Sequence, residues 1–294
     1  MKSVMSFPDR GPWGKSNWRG NTSGYVIKEM IEHFKPKLFV DACEGSGTSG
    51  DVCREMGIEY VGLDLHKGND FTKDYILSQL PRPADVCFSH PPYHDMIAYS
   101  GEVYHGIREG DTSRCLSPEE FISKSQTMLL NQREAVRDNG GIYATLIGDH
   151  RGGTLGKGNF RSYQADFIQM MPKDELLSVA IKLQHNCLSD DRVYSGSFVP
   201  IMHEYLIIWK KASKSLVAVS FDIANELQKR VATTWRNVIR VVMMKLGEAK
   251  LDDIYKEVEA VASHLLGVNP NWQAKVRQQL QKHHTNVARG VWAI

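Results

Sequence analysis

Short apolar runs that end in polar or glycine-rich loops, with amphipathic stretches between them, constrain this chain more than any other feature. Leu38-Phe39-Val40, Tyr60-Val61-Gly62-Leu63-Asp64, Asp85-Val86-Cys87-Phe88, Gly141 to Ile147, 176–184 and His203 to Trp209 read as strands. Helices are expected over Tyr25 to Phe34, which Pro36 stops, and over Ser49 to Met56, 118–137 and 161–170. Strands that alternate with helices make a mostly parallel α/β sheet. In such sheets a ligand lies beyond the carboxyl ends of the strands, at a topological switch point. The loops after residues 40, 64, 88 and 147 are therefore where chemistry is to be sought. Residues 1–24, rich in Gly, Trp, Asn and Arg, read as loop.

A change of composition follows Lys210-Lys211-Ala212-Ser213-Lys214-Ser215, which reads as a polar linker. Beyond it come helices at 222–246, 251–265 and 271–282, then a short tail from Val287 to Ile294. At 294 residues the chain has room for two cores. The expected domains are 1–212 and 213–294. Charge divides unevenly between them. Residues 211–294 carry 13 Lys/Arg against 7 Asp/Glu, giving +6, while residues 1–210 carry 23 against 27, giving −4. A basic module on a mildly acidic body suggests polyanion binding; the plainer alternative is an ordinary solvated face. No apolar run approaches the roughly 18 residues needed to span a membrane. Met1 to Pro8 lacks the apolar core of a signal peptide. Five cysteines, odd in number and never in a C-x-x-C pair, argue for a reducing compartment without structural zinc or disulfides. The expectation is a cytoplasmic protein with no membrane partner and no metal.

The stretch Phe39 to Thr48 runs from strand into helix through Glu44-Gly45-Ser46-Gly47. Glycines allow close backbone approach, and a helix N-terminus offers free N–H groups suited to a carboxylate. The spacings of dinucleotide-binding and phosphate-binding loops are absent. Asp41, at the strand end, is placed to accept from an ammonium group. Asp64, one βα unit later, is placed to take two ribose hydroxyls. An amino acid at one end and a ribose at the other describes S-adenosylmethionine better than a phosphate ligand. The alternative is a tight turn with a surface Asp.

After the strand at 85–88 comes His90-Pro91-Pro92-Tyr93. Two prolines fix two φ angles and remove two donors. They leave carbonyls aimed outward beside an aromatic ring, a rigid holder for something flat and polar such as a nucleobase.

Together, Asp41-x-x-x-Gly45-Ser46-Gly47-Thr48 and the P-P-Y strand end resemble the DNA amino-methyltransferase family, which methylates adenine N6 or cytosine N4. The resemblance covers about residues 10–211. It includes the approach segment Trp18-Arg19-Gly20-Asn21-Thr22-Ser23, Gly148-Asp149 after a strand, and His203-Glu204-Tyr205 opening the last strand. It implies a Rossmann-like methyltransferase sheet with helices on both faces and S-adenosylmethionine as cofactor. The implied cofactor residues are Asp41, Glu44, Gly45, Ser46, Gly47, Thr48, Asp64, Asp70 and Asn21. The catalytic quartet is His90, Pro91, Pro92 and Tyr93. In that resemblance the first residue of the quartet supplies a side-chain acceptor for the target amine, the next a carbonyl, and the aromatic stacks on the base. The family places Asp, Asn or Ser first; this chain has His90. A neutral imidazole has one acceptor nitrogen and a protonated one has none. His90 as acceptor or base predicts activity falling below about pH 6.5. Otherwise Ser89 or Asp95 supplies the acceptor, or the enzyme is dead.

A flipped base needs contacts that offset unstacking. The loops His94 to Arg114 and His150 to Arg161 are candidates, the second with Arg151, Lys157 and Arg161. In the C-terminal part, Trp272, Val276 and Leu280 share one helix face that packs inward. That leaves Lys275, Gln278, Gln279 and Lys282 outside. Asn286 to Trp292, with Arg289, looks like a wing turn and strand. The module resembles the small helical winged-helix domains attached to restriction–modification and chromatin proteins; a small dimerisation module is the alternative. Met243 and Met244 read as core. The expected function is site-specific methylation of double-stranded DNA, adenine N6 ahead of cytosine N4. A silent DNA-binding regulator and an RNA or small-molecule methyltransferase stay open, as do a homodimer and a cognate restriction nuclease as partners.

Overall fold

The computed structural model describes all residues except 102–105, 152–158, 186–198 and 268. The chain forms two compact units, Met1–Val219 and Ser220–Ile294.

In chain order the first unit contains β1 (Val4–Ser6), α1 (Gly24–Phe34), β2 (Leu38–Asp41), α2 (Thr48–Glu55), β3 (Glu59–Gly62) and β4 (Val86–Ser89). Then come α3 (Pro118–Ala135), β5 (Ile142–Ile147), β6 (His150–Arg151), β7 (Phe160–Arg161), α4 (Tyr163–Gln169), β8 (Leu176–Leu183) and β9 (His203–Lys210). Seven strands make one sheet in the order β1-β8-β9-β5-β4-β2-β3. β9 runs antiparallel to β5 and β8, and the other neighbours are parallel. The chain leaves β2 toward β3 on one side and returns to β4 on the other, so the switch point lies between β2 and β4. This is the mostly parallel α/β sheet that the alternation predicts, and it is Rossmann-like as the resemblance implies.

Strand side chains alternate between faces, and here both faces are buried. Phe39, Val86, Ala144, Leu206 and Ile208 pack with Val26, Ile27, Met30 and Val52 of α1 and α2. Leu38, Val40, Tyr143, Ile207 and Trp209 pack with Phe121, Met128 and Leu129 of α3 and Phe167 of α4. Each such side chain contributes about 1.5–3 kcal/mol on burial. Helix ends follow local chemistry. Ser117 accepts from the Glu120 N–H at 3.2 Å, the Glu120 carboxylate accepts from the Leu116 N–H at 2.9 Å, and Pro118 opens α3.

Several sequence expectations shift. Residues 1–24 are not all loop: Val4–Ser6 pairs with β8. The helix expected over 161–170 starts at Tyr163, because Phe160 and Arg161 pair with β6. The stretch at 210–215 is packed rather than free. Buried Lys211 donates to the Val136 carbonyl at 3.2 Å, and the Ala212 N–H donates to Glu175 at 3.0 Å.

α5 (Leu216–Leu246), all but its first four residues in the second unit, begins six residues before the sequence suggests. β10 (Glu248–Lys250), α6 (Leu251–Leu266), α7 (Trp272–His283), β11 (Thr285–Ala288) and β12 (Val291–Ala293) follow. The strands form an antiparallel sheet in the order β10-β12-β11. Trp235, Ile239, Val242, Met243, Ile254, Val258, Val276 and Leu280 make its core. Two expectations need correcting. Gln279 is buried, since three residues past Val276 it lies on the same helix face; Met244 is 65% exposed, while Met243 alone packs inward. Among the described residues no helix is long and apolar enough to cross a membrane.

Candidate active site

The loop from β2 to α2 is shaped by two left-handed glycines, Gly45 (φ 52°) and Gly47 (φ 88°). A Cβ on Gly45 would also stand 3.0 Å from the Trp18 indole nitrogen. The Gly45 N–H donates to Asp64 Oδ2 at 2.7 Å. Asp64 Oδ1 accepts from the His66 N–H at 3.0 Å. Asp41 is buried and accepts from the Cys43 N–H at 2.9 Å and the Ser49 hydroxyl. Burial, helped by the charges of Asp64 and Glu44, pushes the Asp41 carboxyl up to about 7. Glu44 pairs with Lys67 and folds over Gly62, where any side chain would overlap its carboxylate.

The approach segment is pinned to the start of α2. Asn21 Oδ1 accepts from the Thr48 hydroxyl at 2.6 Å, its amide donates to the Lys15 carbonyl at 2.8 Å, and Ser46 Oγ accepts from the Lys15 N–H at 3.2 Å. Asp41, Glu44, Gly45, Ser46, Thr48, Asp64 and Asn21 line a pocket with Trp18, Phe71 and Phe88. Four carboxylates line it, Asp41, Glu44, Asp64 and Asp111, and among the described residues no Lys or Arg does. Such a lining repels phosphate and suits a cation bearing hydroxyls. Asp70 is not in this wall. Its carboxylate accepts from the Thr72 N–H at 3.0 Å and hydroxyl at 2.6 Å and lies against Gly110.

The quartet turns away from the end of β4 and is held by a hydrogen-bond chain. His90 Nδ1 lies 2.9 Å from the Thr22 hydroxyl and Nε2 lies 2.7 Å from the Tyr93 hydroxyl. Tyr93 donates to Glu204 Oε1 at 2.7 Å, and Lys182 donates to Glu204 Oε2 at 2.6 Å. Lys182 and Glu204 face each other across β8 and β9. Burial favours a neutral Glu204, yet the Lys182 ammonium, the His90 ring and the hydrogen bonds from Lys182 and Tyr93 hold it at about 2. Burial also lowers His90 to about 4; Glu204 opposes that shift and Lys182 adds to it. The same burial drives the Tyr93 phenol well above its ordinary range.

A second, wider cleft of about 680 Å³ adjoins the first, with Phe7, Arg10, Pro91, Tyr93, Lys182, His185 and Glu204 in its wall. Trp18, Gly20, Asn21, His90, Pro92 and Tyr99 line both cavities, so two of the quartet, His90 and Pro92, share the wall between them with the approach segment and Tyr99. Gly148 backs the Tyr93 ring, where a Cβ would come within 2.6 Å of Cε2. Ser89 points into the core, where its hydroxyl lies 3.2 Å from Gln132 Oε1 and 3.0 Å from the Thr145 hydroxyl, and Asp95 is exposed beside His150 at 3.1 Å. Neither lines either cavity. Lys182 was not singled out in the sequence, and Thr22 was named there only as part of the approach segment, with no partner. The one available clue was a Lys among the apolar residues of β8, and it gains meaning only with the register that sets it opposite Glu204.

Of the basic candidates, Arg161 is tied to Asp166 at 3.1 Å and Glu119 at 3.3 Å, and Arg151 lies 5.4 Å from the Phe160 ring centre. Lys157 lies outside the described residues. Lys275, Gln278 and Lys282 are exposed along α7, and Arg289 is exposed beside Gly290 (φ 73°) in the turn between β11 and β12. His94, Asp95 and His150 bring ligand-type atoms within 4.8 Å of one another. Both His94 nitrogens are engaged, with the Cys115 carbonyl and the Tyr163 hydroxyl, each at 2.9 Å.

No protein-family model matches this chain, and no curated protein does. Solved structures do. A proposed DNA modification methylase from Thermus thermophilus, complexed with S-adenosyl-L-methionine, is 15% identical over 50% of this chain and 55% of that one, with a TM-score of 0.33. A SAM-dependent methyltransferase from Archaeoglobus fulgidus is 13% identical over 65% of this chain and 95% of that one, at 0.37. Human N-acetylserotonin methyltransferase in complex with SAM is 11% identical over 65% and 52%, at 0.36. The chain spans about half the length of the Thermus and human proteins.

Proposed function

We propose that this chain methylates the exocyclic amine of a base in DNA, adenine N6 in the first place, with S-adenosylmethionine as methyl donor. The observation that carries the reading is the shared wall: His90 and Pro92, with Trp18, Gly20, Asn21 and Tyr99, line both an acidic pocket and a wide cleft that also holds Pro91, Tyr93, Arg10 and His185. The acidic pocket fits the cofactor. Asp41 takes the ammonium group, the start of α2 takes the carboxylate, and Asp64 takes ribose hydroxyls. When bound there, the cofactor supplies a methyl group on a positively charged sulfur.

The chain's own residues do the rest by position and electrostatics. An exocyclic amine is a poor nucleophile because its lone pair is delocalised into the ring. Acceptors on its N–H bonds localise that pair; here they are the His90 ring and the carbonyl of Pro91. Tyr93, tethered through its hydroxyl and backed by Gly148, is a stacking platform whose orientation is set before the base arrives. The base reaches it by leaving the duplex, at a cost of a few kcal/mol.

The second unit acts as a winged helix that holds the DNA. Its element order of helix, strand, two helices and two strands supports this, as do the exposed Lys275, Gln278 and Lys282 on α7 and Arg289 in the hairpin turn. The test is incubation of the full chain with methyl-labelled S-adenosylmethionine and unmethylated genomic DNA, followed by digestion to nucleosides. Label in N6-methyladenine is expected, and label in N4-methylcytosine would move the target atom. Cofactor binding without label in DNA overturns the DNA reading.

A further inference from the structure

We propose that Glu204, ion-paired with Lys182, is a positioning residue that sets the direction of the hydrogen-bond chain through Tyr93 and so holds His90 in its Nε2–H tautomer. The assignment follows from counting protons. An ionised carboxylate can only accept. The single phenolic proton of Tyr93 therefore goes to Glu204, 2.7 Å away. The Tyr93 oxygen then has lone pairs alone to offer His90, whose Nε2 is 2.7 Å away and must carry the hydrogen. A neutral imidazole has one N–H, so Nδ1 is left bare and accepts from the Thr22 hydroxyl at 2.9 Å. Five side chains from four separate stretches of chain thus share one polarity, and the carboxylate at the far end dictates it.

The consequence rests on the function proposed above. Nδ1 is the one side-chain acceptor at the head of the quartet, and Thr22, on the approach segment, keeps it occupied until an amine N–H takes the hydroxyl's place. Glu204, buried against β8, does not touch that amine; it decides which imidazole nitrogen is available.

Glu204→Gln reverses the chain. Lys182 has hydrogens alone to offer, so it claims the new amide oxygen. The amide nitrogen then donates to Tyr93, Tyr93 donates to His90 Nε2, and Nδ1 acquires the hydrogen and ceases to accept. The experiment is ¹⁵N NMR of the full chain with labelled histidine at pH 7, His90 being assigned by the signals lost in His90→Gln. In the parent protein the His90 Nδ1 signal is expected to be of the unprotonated type and Nε2 of the protonated type. In Glu204→Gln the two exchange. The opposite tautomer in the parent, or an unchanged tautomer in a folded Glu204→Gln, overturns the proposal. Should Glu204→Gln fail to fold, Tyr93→Phe decides: with the hydroxyl gone His90 loses its fixed tautomer, and retention of the parent signals overturns the proposal. Folded Glu204→Gln should also lose tenfold or more in methylation rate with unchanged affinity for S-adenosylmethionine. The NMR result stands whether or not DNA is the substrate, so failure of the methylation reading is distinguishable from failure of the relay.

Discussion

A histidine at the head of the quartet suggests an enzyme that switches off near pH 6.5, and its surroundings move that point. With its ring held at about 4, His90 stays neutral between pH 5 and 8. The methylation rate is therefore expected to show no histidine inflection in that range, and a fall centred near 6.5 in a pH–rate profile would contradict it. Stability carries the complementary signature. The unfolded chain binds this proton as pH drops through about 6.5 and the folded chain only near 4. Between those values stability declines with falling pH, by about 3 kcal/mol for the full shift. Urea melts at pH 7, 5.5 and 4.5 should show that slope in the parent and a shallower one in His90→Gln. Asp41 behaves oppositely. Its folded value of about 7 lies above the unfolded value near 3.8, so its contribution to stability is lost as pH rises between them. The ionised form is the one that pairs with an ammonium group. Affinity for S-adenosylmethionine should accordingly rise between pH 5.5 and 7.5 in calorimetry, and Asp41→Asn should be weaker with that dependence gone. Asp41, Gly45 and Asp64 were legible because they punctuate two adjacent strand ends. Thr22 and Glu204 were legible as members of motif segments but their partners were not, since Thr22 lies 68 residues from His90 and Glu204 lies 111 from Tyr93; Lys182 was not legible at all, because only β8–β9 pairing brings it to Glu204.

Elements with their own apolar signal, such as β2, β4, β5 and β9, could be read from sequence, whereas those stabilised by a partner could not. Val4–Ser6 becomes a strand because β8 offers an unpaired edge, and Glu248–Lys250 because β12 does. Propensity argues against Glu-Ala-Lys as a strand. The same holds for the link between α3 and the start of β8. Arg133 and Glu175 are fully buried and joined by two bonds of 2.8 and 2.6 Å, with the Tyr143 hydroxyl donating to Glu175 at 2.7 Å. The Arg133 guanidinium also donates to the Lys214 carbonyl at 3.0 Å, which fastens the exit of β9. Removing Glu175 leaves the buried Arg133 guanidinium with only Glu134, 2.6 Å away, of its two carboxylates, and removing Arg133 leaves the Glu175 carboxylate buried without its ion pair. Glu175→Leu should cost about 3–5 kcal/mol in chemical denaturation. The double change Arg133→Met with Glu175→Leu should recover a large part of that loss, because no lone charge remains. A double variant no more stable than the single one would show that the pair's worth lies in its backbone contacts instead.

At the scale of the molecule the uneven charge becomes a binding argument. The C-terminal stretch from Lys211 carries +6 and the remainder −4, so on the proposed reading the second unit draws a polyanion and the acidic pocket of the first serves a cation. On the proposed reading α7 and the β11–β12 turn meet phosphates through Lys275, Lys282 and Arg289. None of these three lines either cavity of the first unit. Replacing all three by alanine should leave cofactor affinity unchanged. Each phosphate contact releases about 0.9 of a counterion on duplex DNA, so three lost contacts lower the slope of log affinity against log salt by roughly 2.7. Fluorescence anisotropy with labelled duplex between 50 and 200 mM salt, values that span the sensitive range for such contacts, reads that slope directly. If the slope is unchanged in a folded triple variant, phosphate contacts lie elsewhere and the C-terminal unit has another partner. If the slope falls and methylation drops in proportion at subsaturating DNA, while the rate at saturation holds, the unit acts by holding substrate and takes no part in the transfer.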